Sequence, residues 1–303
     1  MSDVLTAGAI NTDLVAQLIR APQAGETVTG TDFAIFGGGK GANQALAAAR
    51  AGASTAILGA LGEDDFGRAR IADLNEARVG TAGVCIRSDA PSGVALITVE
   101  TGTGQNRIAY VPGATLTVLP DEAETAVRQA QPKVLLTTLE LPSDAISIAI
   151  RTAHALGAHV VLNATPEPEL ALGHLQSIDT LIVNEPEAAI LLNDRALTDW
   201  DAAASRLQAM GPRNVVITLG ASGALARFGS ERVLLAVPEV IVVDTTGAGD
   251  ALCGAFAAAL ARGEAPAAAL RIGVVAGSLA CTVLGAQRSM PTRAAIESIL
   301  ATF

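Results

Sequence analysis

Val243-Asp244-Thr245-Thr246-Gly247-Ala248-Gly249-Asp250-Ala251-Leu252 is the most informative stretch of the chain. It reads as the end of an apolar strand, a turn containing two glycines, and the start of a long Ala-rich helix over 249–262. Gly247 and Gly249 carry no Cβ, so a ligand can approach the backbone closely. The first N–H groups of a helix have no partner within it, and the helix dipole adds positive potential there. Such a place is an anion hole, suited to the charge that develops on a phosphoryl group in transfer. Asp250 falls on the first turn, where its carboxylate can take the proton of an attacking hydroxyl. A simple helix cap would account for Asp250 alone. It would not account for two glycines and two acidic residues within one loop.

Outward from this loop, short apolar runs alternate with helical stretches over nearly the whole chain. Strands are predicted over 4–10, 55–60, 134–138, 159–162, 180–183, 215–219 and 239–243. Helices are predicted over 42–51, 66–77, 120–130, 144–156, 185–192, 199–210, 249–262 and 266–283, several of them ending at glycine. Strands that alternate with helices of this length argue for an α/β fold with a parallel sheet covered on both faces. Segments 14–36 and 92–111 break the rhythm with period-two alternation and a Thr-Gly-Thr-Gly turn. They predict a small separate β-sheet placed as a lid over one α/β domain spanning 1–303.

Gly37-Gly38-Gly39-Lys40-Gly41-Ala42-Asn43-Gln44 is the second strong signal. Bare backbone, a cation and two amide side chains at a helix start suit the hydroxyls of a sugar. Residues 37–42 also match the G-x-G-x-x-A form of the dinucleotide fingerprint. That fingerprint belongs directly after the first strand, whereas here about 25 residues of β-like chain intervene. A nicotinamide enzyme is therefore the weaker reading. Asp13, Glu140, Asn184 and Glu187 each follow a predicted strand, as ligand groups do in open parallel sheets.

Composition narrows the class. The chain has 303 residues with 50% hydrophobic, 17% charged and 3% aromatic content, which favours helix-on-sheet packing by small aliphatic side chains. A formal net charge of −10 without any Lys/Arg run argues against a nucleic-acid or membrane partner. Cys85, Cys253 and Cys281 have no metal-ligand spacing and read as free thiols of a soluble, cytoplasmic protein. No basic n-region opens the chain.

With both motifs in hand, the sequence resembles the ribokinase (PfkB) family of carbohydrate kinases. Residues 38–44 and 244–250 match that family's two diagnostic segments, in order and separation, and residues 25–30 and 38–44 are most similar to its ribose kinases. The resemblance implies a three-layer α/β/α fold with a small β-sheet lid that also serves as a homodimer contact. It implies ATP:sugar phosphotransfer, yielding ribose 5-phosphate if the sugar is ribose. It assigns Asp250 as base and Gly247, Ala248 and Gly249 as the anion hole. Asp13, Gly39, Lys40, Asn43 and Glu140 would hold the sugar, while Asn184, Thr218, Gly220, Gly223 and Gly249 would hold ATP. Glu187 would serve Mg²⁺. Asp244, Thr246, Ala280, Val283, Gly285 and Ser289 would surround K⁺, several through backbone carbonyls.

Two positions depart from the family pattern. Tyr110 stands in the lid where a smaller aliphatic residue is usual, and residues 220–223 lack a long basic side chain. Kinases of the same family acting on fructose, a deoxy sugar, a keto-deoxy acid or a nucleoside are the alternatives, as is a catalytically silent sugar-binding protein. No arginine clamp for an anionic sugar is evident, and aromatic platforms for a nucleobase are few.

Overall fold

The structure, a computed structural model, describes residues 2–303. β1 (Val4–Ala7) passes through residues 8–10 into β2 (Asn11–Leu18), and β3 (Gly30–Gly38) leads into α1 (Lys40–Arg50). β4 (Thr55–Gly62), α2 (Asp65–Glu76), β5 (Gly80–Arg87), β6 (Gly93–Glu100) and β7 (Asn106–Val111) follow. Next come α3 (Pro120–Ala130), β8 (Val134–Thr137), α4 (Ser143–Ala155), β9 (His159–Asn163), β10 (Thr180–Asn184) and α5 (Glu185–Leu191). α6 (Trp200–Ala209), β11 (Asn214–Thr218), β12 (Ala224–Phe228) and β13 (Glu231–Leu235) precede α7 (Ala248–Ala261). α8 (Pro266–Ala280), α9 (Ala286–Ser289) and α10 (Arg293–Leu300) complete the chain.

Nine strands form one sheet in the order β13-β12-β11-β10-β9-β8-β1-β4-β5. From β11 to β5 every pair is parallel, and β12 and β13 add an antiparallel edge. Strands such as β8 (Val-Leu-Leu-Thr) are apolar along their length because helices cover both faces. α3, α4, α5 and α6 bury one face, and α1, α7, α8 and α10 bury the other. This is the three-layer α/β/α arrangement. The abundance of alanine lets helices lie close together. A Cβ on Gly254 of α7 would fall 2.5 Å from the Cβ of Ala47 on α1, so only glycine fits that crossing.

A second sheet of four strands, in the order β3-β2-β6-β7, stands apart from the first. The period-two segments account for it, with shifted limits. The first predicted strand stops at Ala7, because Gly8 packs against Gly41: a Cβ on Gly41 would meet the Gly8 carbonyl carbon at 2.5 Å. The small sheet therefore begins at Asn11, ahead of the expected residue 14, and Asp13 lies on one of its strands rather than in a loop. The predicted strand over 239–243 does not form. Ile241, Val242 and Val243 are exposed, and β-branched sequence without a neighbouring strand is not enough to make one. The hairpin of β12 and β13 holds that edge of the sheet instead. β5, β12, β13, α9 and α10 are additions to the elements predicted. No helix among the described residues is long and apolar enough to cross a membrane, and all three cysteines are free.

Candidate active site

Asp250 sits in the first turn of α7, whose N-cap Gly247 has a left-handed φ of 81°. Its side chain is 7% exposed and fully engaged by α1: Asn43 Nδ2 donates to Oδ2 at 2.9 Å, and Gln44 Nε2 donates to Oδ1 at 2.9 Å. The Gln44 amide is in turn held by Asn163 Oδ1 of β9, at 2.9 Å. The tight crossing at Gly254 and Ala47 lies one helical turn farther along each helix, so α1 and α7 bring these groups together. Asn43 Oδ1 and Gln44 Oε1 are buried acceptors without a donor among the described residues. Buried polar atoms of this kind ordinarily have a partner, and a polyhydroxylated ligand supplies donors.

Asp250 faces a cleft of ≈ 240 Å³ whose walls include Lys40, Asn184, Glu187, Thr218, Gly247 and Gly249. Ala248 is not on that wall. Its N–H donates to Thr245 O at 3.2 Å and closes the turn. The walls at Gly247 and Gly249 remain, on the positive end of the α7 dipole. Burial works against the Lys40 ammonium, but Asp250, Glu140 and Glu187 around it outweigh burial and raise its pKa, so it stays charged. A fixed cation beside helix-start amides suits a polyphosphate.

Asn184 and Glu187 form a reciprocal cap at the start of α5. Asn184 Oδ1 accepts from the Glu187 N–H, and Glu187 Oε2 accepts from the Asn184 N–H, both at 2.8 Å. Burial raises the Glu187 pKa against the bond from Asn184 and the charge of Lys40. Among the described residues no three His, Cys, Asp or Glu side chains gather into a metal cage. One carboxylate in a cleft fits a Mg²⁺ ion that takes its other oxygens from phosphates and water. Thr218 lines the cleft at the end of β11, while Gly220 and Gly223 belong to the adjoining turn.

On the other side of residues 244–249 lies a cavity of ≈ 1300 Å³ between the small sheet and the body, with Asp13 on its wall. Burial lifts the Asp13 carboxyl to about 6, partly opposed by the charge of Arg70. Gly39 caps α1 and packs on the Ala9 carbonyl. Glu140 joins the two loops. Its Oε2 accepts from Ala9 N (2.8 Å), Gly41 N (3.1 Å) and Thr138 Oγ1 (3.0 Å), and its Oε1 accepts from Lys40 N at 3.2 Å. The expected sugar contact of Glu140 is thereby confined to Oε1. Burial raises the Glu140 pKa in spite of these donors. Across the small sheet, Asp13 pairs with Ala95 and Ala95 with Tyr110, so all three share the face toward the cavity. Burial raises the pKa of the Tyr110 hydroxyl.

Of the residues assigned to K⁺, Thr246 and Gly285 are hydrogen-bonded to Asp244. Its Oδ1 accepts from Thr246 N (3.0 Å) and Thr246 Oγ1 (2.7 Å), and its Oδ2 accepts from Gly285 N (2.8 Å). Ala280 O accepts from Val283 N at 3.3 Å, and Ser289 is tied to Ala286 O. The assigned donors are all oxygens with a single carboxylate, which fits a hard monovalent cation. Gln44 and Asn163, which orient Asp250, and Arg70 beside Asp13 were absent from the predicted site. Gln44 lies inside the second motif, whereas nothing in the local sequence marks Asn163 or Arg70.

The model of the pfkB family carbohydrate kinases matches residues 1–293. The ribokinase of Bacillus subtilis is 36% identical over 301 residues, covering 99% of this chain and 100% of that protein. Mouse ribokinase is 37% identical over 264 residues, covering 85% of this chain and 81% of that one. Among solved structures, a ribokinase from Thermotoga maritima superposes with a TM-score of 0.90 at 30% identity, covering 99% of this chain and 100% of that one. The Arabidopsis thaliana ribokinase complexed with ribose and ATP superposes with a TM-score of 0.88 at 30% identity, covering 99% and 98%.

Proposed function

Because the chain belongs to the pfkB family of carbohydrate kinases, we propose that it transfers the terminal phosphoryl group of ATP to the primary hydroxyl of ribose, giving ribose 5-phosphate and ADP. The observation that carries this reading is the buried Asp250 carboxylate at the start of α7, held by Asn43 and Gln44 and facing a cleft that also contains Lys40.

Asp250 is the base. It receives the proton of the sugar's primary hydroxyl as that oxygen attacks phosphorus, so the nucleophile need not form a free alkoxide. Asn43 and Gln44 fix the carboxylate so that little reorganisation is needed. The amides at Gly247 and Gly249, with the dipole of α7, meet the charge on the migrating group, and Lys40 offsets the phosphates. Asp13, Gly39, Asn43 and Glu140 Oε1 orient the sugar. Asn184, Thr218 and the turn carrying Gly220 and Gly223 receive the nucleotide. Glu187 and Asn184, together with the phosphates, would hold a Mg²⁺ ion, which would offset negative charge on ATP. K⁺ at Asp244, Thr246, Ala280, Val283, Gly285 and Ser289 would stiffen the loop that bears the anion hole.

The four-stranded sheet is the lid of this site and the contact of a homodimer. Phe33, Ile35, Leu96 and Val111 share its outer face by register and are each half exposed or more, which favours an apolar partner there. The working place of the enzyme is the cytoplasm, where ATP and reduced thiols coexist.

A coupled ATP assay over ribose, deoxyribose, fructose, keto-deoxygluconate and nucleosides tests the reading. The highest kcat/KM is expected with ribose, and a clear preference for a nucleoside would reject it. Replacing K⁺ by a bulky organic cation should depress the rate, and indifference to that exchange would remove the cation from the scheme.

A further inference from the structure

Arg70 is the most deeply buried arginine among the described residues. It projects from α2 and is 7% exposed, although arginine is seldom buried without a specific partner. Its Nη1 donates to Thr12 Oγ1 on β2 at 2.8 Å and to Phe36 O on β3 at 3.1 Å. Its Nε donates to Asp73 Oδ2 at 2.8 Å, and Nη2 lies 2.8 Å from the same oxygen, which neutralises the guanidinium and fixes its plane.

The two acceptors on the small sheet are not arbitrary. Thr12 immediately precedes Asp13, and Phe36 is the residue paired with Asp13 across the β2–β3 ladder. One planar side chain thus grips both strands at the register of Asp13. The carboxylate itself lies against bare backbone, since a Cβ on Gly38 would fall 2.3 Å from Asp13 Oδ1. Asp32, Arg50, Asp73, Glu76, Asp244 and Arg288 also border the cavity. Arg70 is the charge that acts on Asp13, and it opposes the rise that burial imposes.

We propose that Arg70 is a positioning residue for sugar binding: it fixes the root of the small sheet to α2 and keeps the Asp13 carboxylate aimed at the acceptor sugar. The inference rests on the reading of Asp13 as a sugar ligand. It gives α2, which lends no residue to the cleft beside Asp250, a role confined to the acceptor side of the reaction. A fork of donors is required rather than a point charge, because one side chain must reach two strands and a carboxylate at once.

The test compares Arg70→Met, Arg70→Lys, Thr12→Val and Asp13→Asn with the wild type, using ribose and ATP as variable substrates across pH 5–9. Arg70→Met should raise KM for ribose on the order of tenfold, with KM for ATP and kcat nearly unchanged. The acid limb of kcat/KM for ribose should move to higher pH, because the opposing charge of Arg70 is lost. Arg70→Lys should return the acid limb to its place without restoring KM. Thr12→Val should raise KM for ribose and leave the limb where it was. An Arg70→Met enzyme that melts earlier but keeps the wild-type KM and limb would overturn the proposal and make Arg70 merely structural. If Arg70→Met does not fold, wild-type KM values for ribose in both Arg70→Lys and Thr12→Val overturn it equally. An unchanged KM for ribose in Asp13→Asn would overturn the reading of Asp13 and the role of Arg70 with it. Loss of ribose affinity there, beside unaffected Arg70 variants, would overturn the role of Arg70 alone.

Discussion

Asn43 Nδ2 donates to Asp250 Oδ2 at 2.9 Å, joining the two sequence motifs across 207 positions. The bond orients the carboxylate before any ligand arrives. Asp250→Asn keeps the volume but removes proton-accepting capacity. It should lower kcat by on the order of 10²–10⁴ while ATP affinity stays nearly the same. Steady-state kinetics with a fluorescent-nucleotide titration checks both halves, and a large loss of nucleotide affinity would count against a base role.

Asp13 carries a stability cost that its function explains. Its carboxyl is lifted from 3.8 to about 6. An acid whose folded pKa exceeds its unfolded value weakens the fold above the higher value, and the penalty fades as pH falls through that interval. Asp13→Asn should therefore raise Tm of the ligand-free protein at pH 8 relative to wild type and lose that advantage near pH 4. At 1.36 kcal/mol per pH unit the gain is about 3 kcal/mol at most. Thermal scans at both pH values measure it, and a constant offset between the two proteins would mean that the folded and unfolded pKa values of Asp13 do not differ.

Glu140 accepts from the amides of Ala9, Lys40 and Gly41. Glu140→Ala strands three donors in the interior at about 1–3 kcal/mol each. A loss of at least about 3 kcal/mol is expected, with a smaller loss for Glu140→Gln, which keeps one acceptor. Urea unfolding of the three proteins decides it.

Tyr110 lies on the same face of the small sheet as Asp13. Its ring should narrow the pocket against larger sugars. Tyr110→Val should raise kcat/KM for fructose relative to ribose by on the order of tenfold. An unchanged ratio would show that the ring does not border the acceptor.

The outer face of the lid is testable without kinetics. Leu96→Asp places a charge within its apolar patch and should convert a dimer to monomer in sedimentation at micromolar concentration. If wild type already sediments as a monomer, the proposed contact does not exist.

What could be read in advance was what is encoded locally. The glycines and polar residues of 38–44 and 244–250 mark loop-to-helix joints whose neighbours in sequence are their neighbours in space, and the apolar runs at β8 and β10 identify buried parallel strands. β5, with the sequence Gly-Thr-Ala-Gly-Val-Cys-Ile-Arg, lacks such a run and was passed over. Residues 239–243 carry strong strand propensity but no partner, so the same rule failed in the opposite direction. Arg70 and Asn163 acquire meaning only through contacts 58 and 119 positions away. No local pattern encodes a partner at such a distance.

β3 enters α1 with only Gly39 between them, and β1 reaches β2 through just three residues. The cover is therefore no flap on slack tethers: its strand β3 is the upstream end of the same rail that carries Lys40 and Asn43. Whatever displaces it must also disturb the chemical groups below, so acceptor capture and chemical readiness are mechanically geared. A cover transplanted from a relative would bring the front half of the catalytic apparatus along with its sugar preference.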